Sequence, residues 1–445
     1  MSRSEYLMAL YDALDEIPNQ ERTDAVSEYQ EYFINEIEKG RTEEEICLSL
    51  GDPITLAYAI KQRRGYGAKK QRAFYEKPRR SHKVFKDIAT VITVLVIVSI
   101  VLGGSMMFSF SRGTGMIFGI GKKYEINDIR EINLDSAKTI IVRTISVNTS
   151  ILPSDTGKIK STLKGNVRSI SPDYVPTLEV TKSGDSIIIE EKRKTFAIIG
   201  FNWEQINLDI SVPKSFQGDI KYEGKSGDFN TSDLDIDNFI FKLSSGNVHL
   251  DNITSKNDID MTSTSGDVTI KGIKARNLTL ESISGKKKFS DVSIEDNFNI
   301  NSKSGDTTLK DINCNELRID STSGVINIDG LQLELISIES KSGDINIDDL
   351  EGSAQLEAIS GNIKVSAKEA KDKIYIKASS GNIELKMPSN TGFTLDSKVS
   401  SGDIKCDFDL DIEDSGDHKL RGSYGNGSIP VNINTTSGNI DIEKR

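Results

Sequence analysis

The sequence predicts a mainly β fold: a parallel β-solenoid of about twenty-residue rungs, with a small N-terminal all-α domain and one transmembrane helix ahead of it. Three observations carry that reading. A Ser-Gly pair recurs at near-constant spacing through the second half of the chain. A stretch free of charge covers residues 88–110, and the first 64 residues break into short amphipathic segments with clear punctuation.

The repeat comes first. Ser-Gly occurs with its glycine at 227, 246, 266, 285, 305, 324, 343, 361, 381, 402 and 438, and nine of these eleven pairs are followed by Asp or Asn. Apart from the last gap, the spacing runs from 18 to 21 residues. Two positions after the glycine stand apolar residues such as Val248, Val268, Ile326 and Ile345, and four after it Leu250, Ile270, Leu309 and Ile347. Alternation of period two makes a short strand with one buried face. A second strand recurs further on, as in Leu278 with Leu280 and Ile336 with Ile338. A rung of two strands cannot bury its own apolar edge. Rungs therefore stack at roughly 4.8 Å, and eleven of them make a rod on the order of 50 Å long.

Glycine is expected at the corner because a positive φ there would force a Cβ into the backbone. The flanking Ser and Asp/Asn are expected to bond local backbone groups at the turn. One rung departs from the pattern: in SGKKKFSDV, Lys287 takes an inward apolar position between Lys286 and Lys288, as a defect or a functional notch. Cys406 falls on an inward position, where packing is its expected role. The Ser-Gly pairs at Gly184 and Gly416 are out of phase and read as hairpin turns, the first joining residues 178–181 to 186–190.

Residues 88–110 would extend about 34 Å as a helix, enough to cross a hydrocarbon core of roughly 30 Å. The 27 residues before this stretch, 61–87, carry 11 Lys/Arg against 2 Asp/Glu, while the 15 residues after it offer only Arg112, Lys122 and Lys123. Positive flanks stay in the cytoplasm. The expected topology is a single pass through the cell membrane, N-terminus cytoplasmic and C-terminal domain extracellular. The basic run can also rest on anionic membrane lipid.

Inside, residues 1–64 read as short helices. Leu7, Leu10, Leu14 and Ile17 share a face ahead of Pro18; Tyr29, Phe33 and Ile37 share another ahead of Gly40. Thr42 with Glu45 forms a capping box before Ile46 and Leu50. Asp52 caps the last segment, Pro53 takes its first turn, and Leu56 and Ile60 supply its apolar face. The boundaries that follow are 1–64 helical domain, 65–87 basic linker, 88–110 transmembrane helix, 111–124 linker, 125–222 β cap and 223–445 solenoid repeats.

The runs SRSEYLMALYDALDEIP, EYQEYFINEIEKGRTEEEI and LGDPITLAYAI resemble the HAAS domain, a small helical domain of membrane proteins in Gram-positive bacteria. Its members are often encoded beside PadR-type regulators, so the resemblance implies a cytoplasmic regulator protein as partner and supplies no catalytic residue. ILPSD (151–155), LDISVPKSF (208–216) and the SGD/SGN repeats together resemble the adhesin-like β-strand-repeat ectodomains of bacteria. That resemblance implies a fold and an unidentified extracellular ligand.

Composition excludes other classes. Positive charge is confined to the basic run, and residues 111–445 hold 41 basic against 51 acidic side chains, so nucleic acid is not expected as a partner. Cys47, Cys314 and Cys406 are far apart, and so are His82, His249 and His418. No catalytic, cofactor-binding or metal residue is singled out, and no cofactor or enzyme activity is expected. Stacked corner Asp side chains invite calcium, but the nonapeptide pattern of calcium-binding rolls is absent. Two readings remain: an envelope-stress sensor whose outer rod binds and whose inner domain signals, or an adhesin or surface scaffold with the helical domain as a passive anchor. Gly103, Gly104 and Ser105, and a free edge at 438–445, would allow a homo-oligomer.

Overall fold

The computed structural model describes residues 122–169, 175–193 and 204–445, and scattered helical positions between Tyr6 and Lys61. The chain divides into two compact units, Met1–Thr114 and Gly115–Arg445. In the first, Leu10, Leu14 and Ala57 are buried against Val26, Tyr29, Leu56 and Ile60. Tyr6 packs its ring 5.7 Å from that of Phe33, and both are fully buried. Tyr6 lies one turn before Leu10, on the face that Leu10 and Leu14 define, and the sequence reading passed over it. The LGDP turn, the capping box, the basic run and the spanning segment 88–110 lie outside the described residues. Among the described residues no helix is long and apolar enough to cross a membrane.

In the second unit, a rung can be followed from Asp258. The strand Asp258–Ser265 buries Ile259, Met261 and Ser263; the corner is Gly266; the strand Val268–Ala275 then buries Val268 and Ile270. The next rung repeats this in parallel register, Ile259 over Leu278 and Val268 over Lys287. Gly266 has φ +126°, and a Cβ on it would lie 2.0 Å from the carbonyl oxygen of Gly246. Corner glycines thus stack backbone on backbone, rung upon rung. Two constraints, the dihedral and the close approach, demand glycine together.

The residue after the glycine does something the sequence reading assigned differently. Its side chain bonds the next rung, not its own turn. The Asn247 N–H donates to Asp228 Oδ1 at 2.8 Å, the Asp267 N–H to Asn247 Oδ1 at 3.1 Å, and the Lys286 N–H to Asp267 Oδ1 at 2.8 Å. A ladder of carboxylates and amides therefore runs along one edge of the rod. Lys286 and Val325 carry no oxygen at this position and interrupt it.

The seven rungs from Gly227 to Gly343 also have a second corner, six residues after the glycine. Asp233, Asn252, Gly272, Asp291, Asp311, Gly330 and Asp349 all have positive φ there. These are the residue types that tolerate the left-handed region. Buried positions shift phase across it, from Val248 and Leu250 to Ile253 and Ser255. A third leg follows, whose inward column includes Ile253, Ile273, Val292, Ile312, Leu331 and Leu350. The two strands per rung expected from the sequence are present, and the second corner bends the first of them into two legs.

Both ends of the rod are built out of chain order. At the start, Thr139–Ser146 and Asn148–Ser154 form a rung without a Ser-Gly pair, stacked on Asp219–Ser226 and Phe229–Ser232. Residues between them leave the stack to form a cap. Lys158–Ser169 pairs antiparallel with Lys122–Asn133 and Glu204–Pro213, and Thr177–Ser183 makes the expected hairpin with Ser186–Lys192. At the far end, Ile429–Ser437 lies between Ile363–Ser380 and Phe393–Ser401, and Ile440–Lys444 between Ile383–Met387 and Ile404–Cys406. The expected free edge at 438–445 is therefore corrected: that strand is paired on both sides. The expected hairpin around Gly416 joins Asp411–Gly416 to Lys419–Tyr424 and covers the flank of Phe393–Ser401.

Candidate functional site

A groove of about 820 Å³ runs along the leg that precedes the first corner. It crosses the rungs from Gly266 to Gly381, about 29 Å at the stacking distance of neighbouring strands. Two rows of outward side chains form its walls. Four residues before the corner stand Thr262, Glu281, Asn301, Asp320, Glu339, Glu357 and Lys377; two before it stand Thr264, Ile283, Lys303, Thr322, Lys341, Ile359 and Ser379. Between them runs a line of small residues, Ser263 to Ser340 and then Ala358. Small floor residues flanked by long walls make the depression.

Arg318 divides the groove electrostatically. Its guanidinium grips Asp320 through Nε at 3.0 Å and Nη2 at 3.1 Å, and reaches Glu339 on the next rung at 3.1 Å. These hydrogen bonds hold Arg318 even further above its ordinary pKa. Among the described residues no ion pair joins Glu281, Lys303, Lys341 or Glu357, so their charges face the groove. Ile283 and Ile359 stand 45% and 58% exposed on the same wall. The chemistry offered is hydroxyl, amide and mixed charge repeated at each rung, suited to holding an extended polar chain by many weak contacts. Nothing in it places a nucleophile beside a base.

The Lys286–Lys288 rung resolves into a buried charge. Lys287 is 1% exposed, with Val268 behind it and Thr307 ahead in the same inward column. Its ammonium donates to Ser302 Oγ at 2.5 Å, Gly305 O at 2.7 Å and Ser304 O at 2.9 Å, all on the following rung. Burial pushes its pKa down to about 8, against the pull of Asp306 and Asp267. Among the described residues the other buried charge, Glu191, has Arg193 as an ion-pair partner, and Lys287 has no carboxylate within bridging distance.

The other residues noted in the sequence scatter. Cys406 is half-buried against the core in the last rung of the stack. Burial raises its thiol, and pushes that of Cys314 up to about 12. His249 lies outward on one rung, and His418 in the turn of the distal hairpin. Corner oxygens of Asp228, Asp267 and Asp344 accept backbone N–H groups from the next rung. Among the described residues no three His, Cys, Asp or Glu side chains are grouped to hold a metal ion. Sequence reasoning missed the groove, although its signal was there: the residues two and four before each glycine are polar or charged through seven rungs, apart from Ile283 and Ile359.

The family model for Toastrack DUF4097 matches residues 137–297 and again 290–443. The chain belongs to the Toastrack DUF4097 family. Two consecutive Toastrack matches thus share one continuous stack. Residues 5–59 match the HAAS family. No curated protein matches the chain. Among solved structures, it is similar to a candidate cell adhesion protein from Clostridium sporogenes, with 12% identity over 72% of this chain and 100% of that one, at a TM-score of 0.16. It is also similar to a candidate adhesin from Bacteroides fragilis, with 15% identity over 72% and 97% of the two chains, at a TM-score of 0.22.

Proposed function

We propose that this Toastrack chain is a single-pass protein of the cell envelope, with an outer rod that binds and an inner helical domain that signals. The carrying observation is the order of parts in one chain: a HAAS match at 5–59, a charge-free stretch at 88–110 with its basic flank on the N-terminal side, and Toastrack matches from 137 to 443. On this reading residues 1–64 are an all-α domain in the cytoplasm, 88–110 is the transmembrane helix, and the basic run touches anionic lipid. The groove along the rod receives the extracellular ligand. A plain anchor needs only a basic flank and an apolar helix, so an additional acidic domain inside implies a protein partner, a PadR-type regulator.

A lone helix has no packed neighbour through which to transmit a shape change. The signal therefore passes by altered self-association of the chain, or by capture or release of the regulator. The test deletes residues 1–64 while keeping the basic run, helix and rod, and challenges cells with membrane- or wall-active agents. Loss of the transcriptional response with unchanged surface display supports signalling. An unaltered response with intact adhesion to surfaces makes the protein an adhesin or surface scaffold.

A further inference from the structure

We infer that the rod contains a built-in seam between the Gly285 and Gly305 rungs, at which its two Toastrack units part before any other pair of rungs opens. Three independent observations meet there. The first is the inward column two residues after the corner, which runs Phe229, Val248, Val268, then Lys287 and Thr307, then Ile326 and Ile345. From Phe229 to Ile345, Lys287 and Thr307 are the two polar members of that column, and they are neighbours. The second is the corner ladder. Lys286 supplies no oxygen to the Gly305 rung, whereas Asp228, Asn247 and Asp267 each bond the rung that follows them. The third is the family match itself, whose two copies end and begin at 290–297, in the chain that links these rungs.

The contrast with Val325 isolates what matters. The ladder is interrupted there as well, yet Ile326 stacks on Ile345 and keeps the apolar column whole. Only between Gly285 and Gly305 do the apolar column and the corner ladder fail together, and the side-chain bonds that cross there include those of the Lys287 ammonium to Ser302, Ser304 and Gly305. Backbone pairing continues across the seam, Lys287 beside Thr307 through Ser293 beside Asn313. Phe289 and Leu309 still face one another. The seam is therefore closed at rest. Opening it exchanges the three bonds of the Lys287 ammonium for bonds to water and returns the charge to solvent, a hydration that no other pair of rungs recovers, because among the described residues Lys287 is the buried charge without an ionic partner. A partial opening of low free energy is expected where a stack has this composition. In a rod that carries load, such a seam yields first and leaves each unit folded.

Native-state hydrogen exchange on the full-length protein, followed by mass spectrometry of peptides in low denaturant, tests this. Amides of Lys287–Ile294 and Thr307–Asn313 are expected to exchange about tenfold or more faster than those of Val248–Ser255 and Ile345–Ser360. Lys287→Ile restores the apolar column and is expected to remove the difference. Lys286→Asn, at an exposed position, restores the ladder oxygen and is expected to slow the same peptides, which carries the test if Lys287→Ile does not fold. Uniform exchange along the stack, fastest exchange at another pair of rungs, or seam exchange unmoved by both substitutions overturns the inference.

Discussion

Glu191 meets Arg193 at 2.6 Å at the capped end of the rod, and the Glu191 side chain is closed off from solvent. The other carboxylate oxygen of Glu191 accepts the backbone N–H groups of Ile145 and Ser146, at 2.7 and 3.0 Å. Further along the stack, the preceding rung's backbone takes that role, as where the Ile283 and Ser284 N–H groups donate to the carbonyls of Ser263 and Thr264. One buried side chain thus stands in for a missing rung. Glu191→Ala removes the acceptor of two buried backbone N–H groups and the ion pair to Arg193, and is expected to cost about 3–5 kcal/mol. Thermal unfolding checks it: a shift no larger than that of an exposed control such as Glu179→Ala would contradict the role.

The inward register predicts a second contrast. Ile345 is fully buried, and Ile345→Asp places an unpaired charge in the core, at an expected cost of several kcal/mol or local unfolding. Neighbouring Asp344 accepts the Asn362 N–H at 2.8 Å, so Asp344→Ala removes one ladder bond, about 1 kcal/mol. Chemical denaturation of the two variants checks this, and equal losses would overturn the register.

Lys287 predicts a pH dependence with a definite sign. Its folded pKa, about 8, lies below the ordinary 10.5. Between these values the unfolded chain holds the proton that the folded chain has released, so the stability of the native protein rises with pH across that window. Below about pH 8 the burial penalty is fully present. Comparing the wild type with Lys287→Met cancels the other titrating groups. The variant is expected to be the more stable at pH 7, with its advantage shrinking from pH 8 to 10.5. An advantage that is constant with pH would contradict the assignment.

Chain order at the far end predicts the effect of truncation. Removing residues 429–445 takes out an internal rung, together with the bond from Arg445 to Asp349. It leaves Phe393–Ser401 and Ile404–Cys406 with no rung beneath them. Limited proteolysis of the truncated chain is expected to cut throughout 389–428 while sparing the rungs up to Gly361. Cleavage confined to the new terminus would show that the last strand is dispensable.

Much of this was legible in the residues alone, for a physical reason. A strand alternates its faces locally, and a repeat states the alternation many times over. The corner glycines, the inward Ile345 and Ile347, the inward Lys287 and both hairpin turns follow from spacing. The second corner was equally present in the run Asp233, Asn252, Gly272, Asp291, Asp311, Gly330 and Asp349, but Asp and Asn at a surface turn look like solvated residues until their dihedral is known. What only the tertiary structure decided is which surfaces meet. Chemically similar rungs can stack in any order, so nothing local places Gly438 between Gly381 and Gly402, or Val147 beneath Gly227, where no Ser-Gly pair marks a corner. The partners of Lys287 and Glu191, and the alignment of seven rungs into one groove, likewise depend on contacts between residues far apart in the chain, and these exist only once the stack has formed.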